Sequence, residues 1–177
     1  LSRTDDLTAT AMTISHYYRP APPLPASVVA TLSASISGSL SSVTRETCFN
    51  VEHGELTSES RRRVEWLISE TFDKASTKLS SPALASSGDT TVVEFGPRLT
   101  FCTAFSSNAC EIFKQCGITS VTRFEKSIRY GFIGSLEGGD LDALKAQLHD
   151  RMTEMEYEKP IESFDAGVSP EPVTTVP

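Results

Sequence analysis

The sequence predicts an α+β fold: a four-stranded, mainly antiparallel sheet with helices on one face, followed by a linker helix. Strand-like and helix-like segments alternate along the 177 residues, an order that a parallel α/β sheet would also give. Most of the strand segments, however, alternate apolar with polar side chains, which is typical of a sheet with one covered face. Strands of parallel sheets are usually apolar throughout, so the alternation favours α+β.

The first half of the chain contains two predicted strands and two predicted helices. "MTISHYYR", residues 12–19, is rich in β-branched and aromatic side chains and ends at a proline run. The second strand covers residues 42–52, where apolar and polar side chains alternate. Thr57 can cap the helix that follows this strand. The apolar residues that define the two helices are Val28, Val29, Leu32 and Ile36 in the first, and Val64, Leu67, Ile68 and Phe72 in the second.

The second half repeats this alternation after a loop at residues 74–90. "TTVVEF" forms a third strand, which Gly96 and Pro97 are expected to stop because proline lacks an amide donor. Ser106 or Ser107 can cap the next helix. Further on, Gly117 stands where many helices end in a left-handed residue, and "VTRFEKSIRYGF" forms the fourth strand.

These elements suggest three parts. Residues 1–11 are an extension that we expect to be disordered, and residues 12–135 form the sheet domain. Residues 136–177 contain a helix and the start of a linker region, since the tail is acidic and rich in proline. Asp140 is expected to cap this last helix. Its apolar residues are Leu141, Leu144, Leu148, Met152 and Met155.

Composition and charge exclude two classes of partner. The net charge is -7 with a pI near 5.0, and basic residues form no sustained patch, so nucleic acid is not expected to bind. No apolar run approaches the roughly 18 residues of a membrane span. The four cysteines show no metal-binding spacing and are expected to be reduced thiols, as in a cytosol-like compartment.

No complete catalytic, cofactor or metal motif is found. Neither a P-loop nor a GxGxxG after a strand occurs in the sequence. Cys48 and His53 could be a thiolate and its base, but a nucleophile also needs an orienting group and an oxyanion site. A core cysteine beside a loop histidine is the preferred interpretation. His16 and His149 lack the partners that a metal ligand set requires.

The segment from Gly96 to Asn108 leaves two interpretations open. Arg98 and the helix start at Ser106, Ser107 and Asn108 could together bind an anion, because backbone donors and a guanidinium would converge there. Alternatively, Arg98 holds a neighbouring carboxylate and the segment is only the joint between a strand and a helix.

Four segments in consistent order resemble one enzyme family. "ETCFNVE", "VVEFGPRLTFCTAFSSNA", "CGITSVTRFEKSIRY" and "LHDRMTEMEYEKPIESF" are similar to the N-terminal region of large, single-chain phosphoribosylformylglycinamidine synthases. The resemblance spans roughly residues 12–172. It implies a PurS-like domain, a fused relative of the small subunit that bridges synthetase and glutaminase in split bacterial versions.

The resemblance also implies the setting of this domain. The parent enzyme would be a ligase of purine biosynthesis that uses glutamine, ATP and Mg, while this chain would itself hold no cofactor and no catalytic residue. Its partners would be the synthetase, linker and glutaminase domains of the same polypeptide, in the cytoplasm or in a plastid or mitochondrion. The candidate interface residues are Arg98, Ser106, Ser107, Asn108, Arg123 and Arg129.

Two other functions remain as alternatives at this point. A free-standing α+β module that binds a small molecule or a peptide would show the same composition and alternation. A cysteine enzyme would require Cys48 to be an activated nucleophile.

Overall fold

The structure is a computed structural model that describes residues 11–69, 78–79 and 81–167. Its elements are β1 (Thr13–Pro20), α1 (Ala26–Ala34), β2 (Ser39–His53), α2 (Ser58–Ile68), β3 (Lys78–Leu79), β4 (Thr90–Pro97), α3 (Ala104–Gln115), β5 (Val121–Ser135), α4 (Asp140–Leu148) and β6 (Glu154–Glu156). Most of the predicted extension, and also Phe72 and the last ten residues, lie outside the described residues.

The strands form one six-stranded sheet in the order β3-β1-β2-β5-β4-β6, and every neighbouring pair is antiparallel. The chain runs twice through the same succession of strand, helix, strand, helix and short edge strand. The two halves meet where β2 pairs with β5 at the centre of the sheet. The fold is therefore an internal structural repeat, which the sequence pattern did not reveal.

In the described part of the chain, the helices α1, α2, α3 and α4 cover the same face of the sheet. Val43, Phe49 and Val51 of β2 alternate with polar residues, so their side chains share one face. Helices α2 and α3 cover Phe49 and Val51, while α1 and α4 cover Val43. The core thus consists of two clusters on one face of a continuous sheet.

The predicted α+β class and antiparallel sheet are confirmed. The four predicted strands are present, and the structure adds the short edge strands β3 and β6. Strand β3 lies within the segment predicted to be a loop. Thr57 caps α2 as expected, since its side chain accepts a hydrogen bond from the Ser60 amide. Gly117 follows α3 with a φ of 78°, the left-handed conformation expected at that position.

One boundary prediction is off by two residues and another is wrong. Strand β4 ends at the Gly96-Pro97 pair as predicted but includes both residues, and Pro97 pairs with Glu154 of the edge strand β6. Proline is tolerated there because the pairing of β4 with β5 ends at Phe95, so that Pro97 is the last residue of the strand and has one neighbouring strand. The last helix ends at Leu148, so Met152 and Met155 lie outside it. The apolar spacing in the sequence extends beyond the end of the helix because Met155, an apolar residue of β6, coincides with it.

Asp140 does not cap α4 with its side chain but links two loops. The N-cap residue is Gly139, and the Asp140 carboxylate accepts hydrogen bonds from the backbone amides of Ser37, Gly38 and Glu137 at 2.8 to 2.9 Å. A side chain at position 38 would collide with the Ser135 carbonyl oxygen, at 2.1 Å from a Cβ atom. Asp140 thereby holds the connection between α1 and β2 against the start of α4.

We expect this carboxylate to make stability depend on pH. Hydrogen bonds from the amides of Ser37, Glu137 and Gly38 hold the pKa of Asp140 below its ordinary value of 3.8. A depressed pKa stabilises the fold above pH 3.8, and this contribution is lost as the pH falls toward the folded-state pKa. Denaturant titrations should therefore show Asp140→Asn less stable than the parent at about pH 7, with the difference shrinking at about pH 3.

Asp142→Asn is the matched control, because Asp142 lies on the same helix and is exposed. Equal effects of the two substitutions at neutral pH would contradict the proposed link between the loops.

Candidate functional site

The face of the sheet opposite the helices carries buried polar side chains. Two parts of the chain cover this face, residues 81–87 and residues 157–164. The first contributes the Ala83 amide, which donates to Glu46 at 2.8 Å. The second contributes Tyr157, whose ring lies against Gly96. The buried polar residues on this face are Glu46, Asn50, Glu94, Glu125 and Ser127.

Arg129 connects three strands across this face. Its guanidinium pairs with Glu46 of β2 and with Glu94 of β4, the latter at 3.4 Å. Glu94 also accepts a hydrogen bond of 2.5 Å from the Ser127 hydroxyl. Burial raises the pKa of Glu94, although Ser127 and Arg129 oppose the shift. The predicted interface residue Arg129 is therefore engaged within the sheet.

Cys48 and His53 do not form a catalytic pair. Their odd spacing along β2 directs them to opposite faces, and His53 hydrogen-bonds instead to Ser15 at 2.8 Å. The ring nitrogen Nδ1 of His16 lies 4.0 Å from the Cys48 sulfur. Burial raises the pKa of Cys48 far above its ordinary value, so the residue stays a neutral thiol. This geometry does not support the cysteine-enzyme alternative.

Glu125 and Arg123 hold the segment that leads into α3. The Glu125 carboxylate is fully buried and accepts from the Thr103 amide at 3.1 Å and from the Thr103 hydroxyl at 2.6 Å. Arg123 lies 3.1 Å from the same carboxylate and donates to the carbonyl oxygens of Leu99 and Phe101. The Phe164 ring packs on the Arg123 guanidinium, whose central carbon lies 4.3 Å from the ring centroid.

The cap of α3 is Thr103, so the prediction of Ser106 or Ser107 is wrong. The Thr103 hydroxyl accepts from the Ser106 amide at 3.1 Å while it donates to Glu125. Ser106 is buried, and its hydroxyl accepts from the Phe124 amide at 2.9 Å. The helix starts one turn earlier than predicted because the buried Glu125 orients Thr103.

Arg98 is exposed and contacts only backbone in the described part of the chain. Its guanidinium donates to the Arg151 carbonyl at 2.6 Å, and its amide donates to the Thr153 carbonyl at 3.0 Å. Among the described residues no carboxylate pairs with Arg98, so this part of the chain gives no support to the interpretation that Arg98 holds a carboxylate. Ser107 and Asn108 are also exposed, whereas Ser106, Arg123 and Arg129 are buried or nearly so.

Residues 11–69, 78–79 and 81–167 contain neither a group of potential metal ligands nor a helix that could span a membrane. Within these ranges no three His, Cys, Asp or Glu side chains are grouped to hold a metal ion. No helix in the same ranges is long and apolar enough to cross a membrane. The four cysteines are free, as predicted.

A comparison with protein families identifies the sheet domain. Residues 46–163 match the family described as formylglycinamide ribonucleotide amidotransferase N-terminal. The chain belongs to this family. The matched region extends from β2 to the segment over the polar face, so it contains the Arg129 and Glu125 networks.

Similar proteins carry the corresponding enzyme name. The chain is 35% identical over 147 residues to a phosphoribosylformylglycinamidine synthase of Dictyostelium discoideum, covering 78% of the chain and 11% of that protein. A probable chloroplastic/mitochondrial phosphoribosylformylglycinamidine synthase of Arabidopsis thaliana is 35% identical over 148 residues, covering 80% and 10%. The human synthase is 32% identical over 139 residues, covering 76% and 10%. The chain thus spans about a tenth of these relatives.

In this amidotransferase N-terminal domain, sequence reasoning missed the residues that organise the polar face. Glu46 and Glu125 alternate with apolar residues, a pattern typical of the solvent side of half-buried strands, while Glu94 belongs to a strand whose sequence has no such alternation. A signal was present in the sequence, because β2 and β4 each carry a carboxylate and β5 carries arginines. Side chains of opposite charge on neighbouring strands can form ion pairs. The segments that bury these side chains have no regular hydrophobic period.

We predict that Glu125 is required to hold the segment before α3. Glu125→Gln keeps the shape of the side chain but removes the charge opposite Arg123, and breaking a buried pair costs about 3 to 5 kcal/mol. Chemical denaturation of the variant measures this loss in the free energy of unfolding.

Glu59→Gln is the control, because Glu59 pairs with Arg63 while 68% of its side chain is exposed. We expect its effect to stay below about 1 kcal/mol. Similar losses in the two variants would show that burial of the Glu125 pair is not what stabilises the domain.

Proposed function

We propose that this chain is a noncatalytic assembly domain of a phosphoribosylformylglycinamidine synthase, which contributes to purine biosynthesis. The observation that carries the proposal is the family match to an amidotransferase N-terminal region over most of the sheet. The geometry agrees with it, because the buried polar groups hold segments of the domain and Cys48 is a neutral thiol. The exposed groups are then available for contacts with other domains.

The parent enzyme would be a ligase that uses glutamine, ATP and Mg to convert formylglycinamide ribonucleotide to its amidine. The described residues do not fit ATP or Mg. Glu46, Glu94 and Glu125 are the buried carboxylates of the polar face, and arginine side chains or backbone amides already bind them. ATP and Mg would therefore bind to other domains of the parent enzyme.

The partners would be the synthetase, linker and glutaminase domains of the same polypeptide. Arg98, Ser107 and Asn108 are exposed and suited to such contacts. Arg98 follows Pro97 of β4 and is tied at its amide to Thr153, so its guanidinium extends from a fixed backbone. A fixed cation can make a well-defined contact with an acidic group of another domain.

The compartment belongs to the same proposal. We place the parent enzyme in the cytosol, which suits the four free cysteines. A plastid or mitochondrion is the alternative, since the Arabidopsis relative is named chloroplastic/mitochondrial.

The chain alone should be catalytically inactive. We expect neither glutamine hydrolysis nor ATP-dependent amidine formation, because no activated nucleophile with its base is present in the described residues. Assays on purified chain, with circular dichroism to verify folding, test this expectation. Turnover that persists through repurification and disappears in Cys48→Ser would contradict it.

In the parent enzyme, Arg98→Glu should lower the rate of synthesis with glutamine but not the rate with ammonia. Glutamine-dependent synthesis should fall at least about tenfold, equivalent to roughly 1.4 kcal/mol, while ammonia-dependent synthesis stays nearly unchanged. Steady-state rates with glutamine and with ammonium measure the ratio.

Arg62→Glu provides the same change of charge at an exposed position on α2 and should leave both rates unchanged. Equal losses with both nitrogen sources in Arg98→Glu would point to destabilisation or to a direct role in substrate binding. No loss with either nitrogen source would remove Arg98 from the domain interface.

A further inference from the structure

An apolar groove lies between α2 and α3 on the helix-covered face, away from the polar face. Its volume is about 380 Å³. The rings of Phe49, Phe113 and Phe124 line it together with Leu67 of α2. These side chains belong to the core cluster beneath the two helices or pack against it. The groove is therefore a place where the core of the domain is open to solvent.

The α3 wall of this groove is unusually exposed for apolar residues. Phe105, Ala109 and Ile112 follow one another at helical spacing and all line the groove. Ile112 is 54% exposed and Phe105 is 37% exposed. Leaving such a stripe in water costs about 25 cal/mol per Å² of apolar surface, and contiguous exposed stripes mark interaction sites.

One rim of the groove carries positive charge. Arg19 and Lys126 project from β1 and β5 and both line the groove. The Lys126 ammonium lies 4.1 Å from the centre of the Phe105 ring, and no described carboxylate forms an ion pair with it. Since the chain as a whole has a net charge of -7, Lys126 is a local exception that favours an acidic group on the occupant.

The groove offers side chains but no backbone for pairing. Its walls are helices, β2 and β5 beneath it are interior strands paired on both sides, and β1 beside them pairs with β2 along its length and with β3 at Tyr17 and Tyr18. An extended segment could not add to the sheet there and would leave its own amides without partners. A helix satisfies its own backbone, so a third helix packed between α2 and α3 is the occupant that suits this surface.

We propose that this groove binds an amphipathic helix from the remainder of the parent polypeptide, with apolar side chains against Phe105 and Ile112 and a carboxylate at Lys126. The inference rests on the proposed assembly function. About nine tenths of the length of the relatives lies outside the matched region, so ample polypeptide exists to supply the helix. Residues 157–164 cannot supply it, because they cover the opposite face of the sheet.

Photo-crosslinking in the full-length polypeptide tests this inference. We place p-benzoylphenylalanine at position 112, in the groove, or at position 115, an exposed site on the same helix that does not line the groove. After irradiation and proteolysis, mass spectrometry should find position 112 joined to a helical segment beyond residue 177 that contains apolar and acidic residues. Position 115 should give little of this product.

The occupant is identified by how the crosslink yield depends on protein concentration and on the charge at position 126. An intramolecular crosslink keeps its yield on dilution, whereas a yield that falls with dilution would show that a second copy fills the groove and would overturn the inference. Lys126→Glu should lower the yield at least about fivefold. Lys114→Glu is the control, an exposed lysine on α3 paired with Glu111, and should leave the yield unchanged.

The experiments distinguish a failure of the groove proposal from a failure of the proposed assembly function. If position 112 gives no crosslink to the downstream polypeptide while Arg98→Glu still lowers glutamine-dependent synthesis, the groove is not the docking site and the assembly function stands. Equal yields from positions 112 and 115 would likewise overturn the groove as the binding surface.

Discussion

Strands β2 and β5 pair antiparallel along nearly their whole length, and their alternating side chains give the sheet two chemically different faces. On one face Phe49, Val51 and Phe124 meet the helices. On the other, Glu46 and Arg129 stand directly opposite each other. A slip of one residue in this pairing would exchange the two sets, so the register has to be specified strongly.

The charged residues of the polar face contribute to that specification. Glu46, Arg129 and Glu94 occupy one row across β2, β5 and β4, each in direct register with the next. In a shifted register Arg129 would lie on the apolar face, away from both carboxylates. Buried ion pairs add little net stability, but an unpaired buried charge is costly. The row therefore penalises wrong pairings more than it stabilises the right one.

The sequence was informative wherever a regular period determines structure. Three of the four main strands alternate apolar with polar side chains in the sequence, and helical spacing identified the faces of α2 and α3. It did not reveal that residues 81–87 and 157–164 cover the polar face, because these segments have no period and are held by single contacts such as Ala83 to Glu46. The α3 cap was displaced to Thr103 by Glu125, a residue of a distant strand that local capping rules do not consider. Of the six residues predicted for a domain interface, Arg98, Ser107 and Asn108 are exposed, whereas Ser106, Arg123 and Arg129 are held inside the domain by contacts across strands.

The central pairing also determines how the domain can form during synthesis. Thr47 of β2 pairs with Ile128 of β5, about 80 residues later, and contacts of such long range are slow to form. At a translation rate of about 5 to 20 residues per second, several seconds separate the appearance of the two strands. During that interval β2 has β1 on one side and an open edge on the other. Arg45 and Glu46 near the middle of this edge place charge where another nascent chain would otherwise pair.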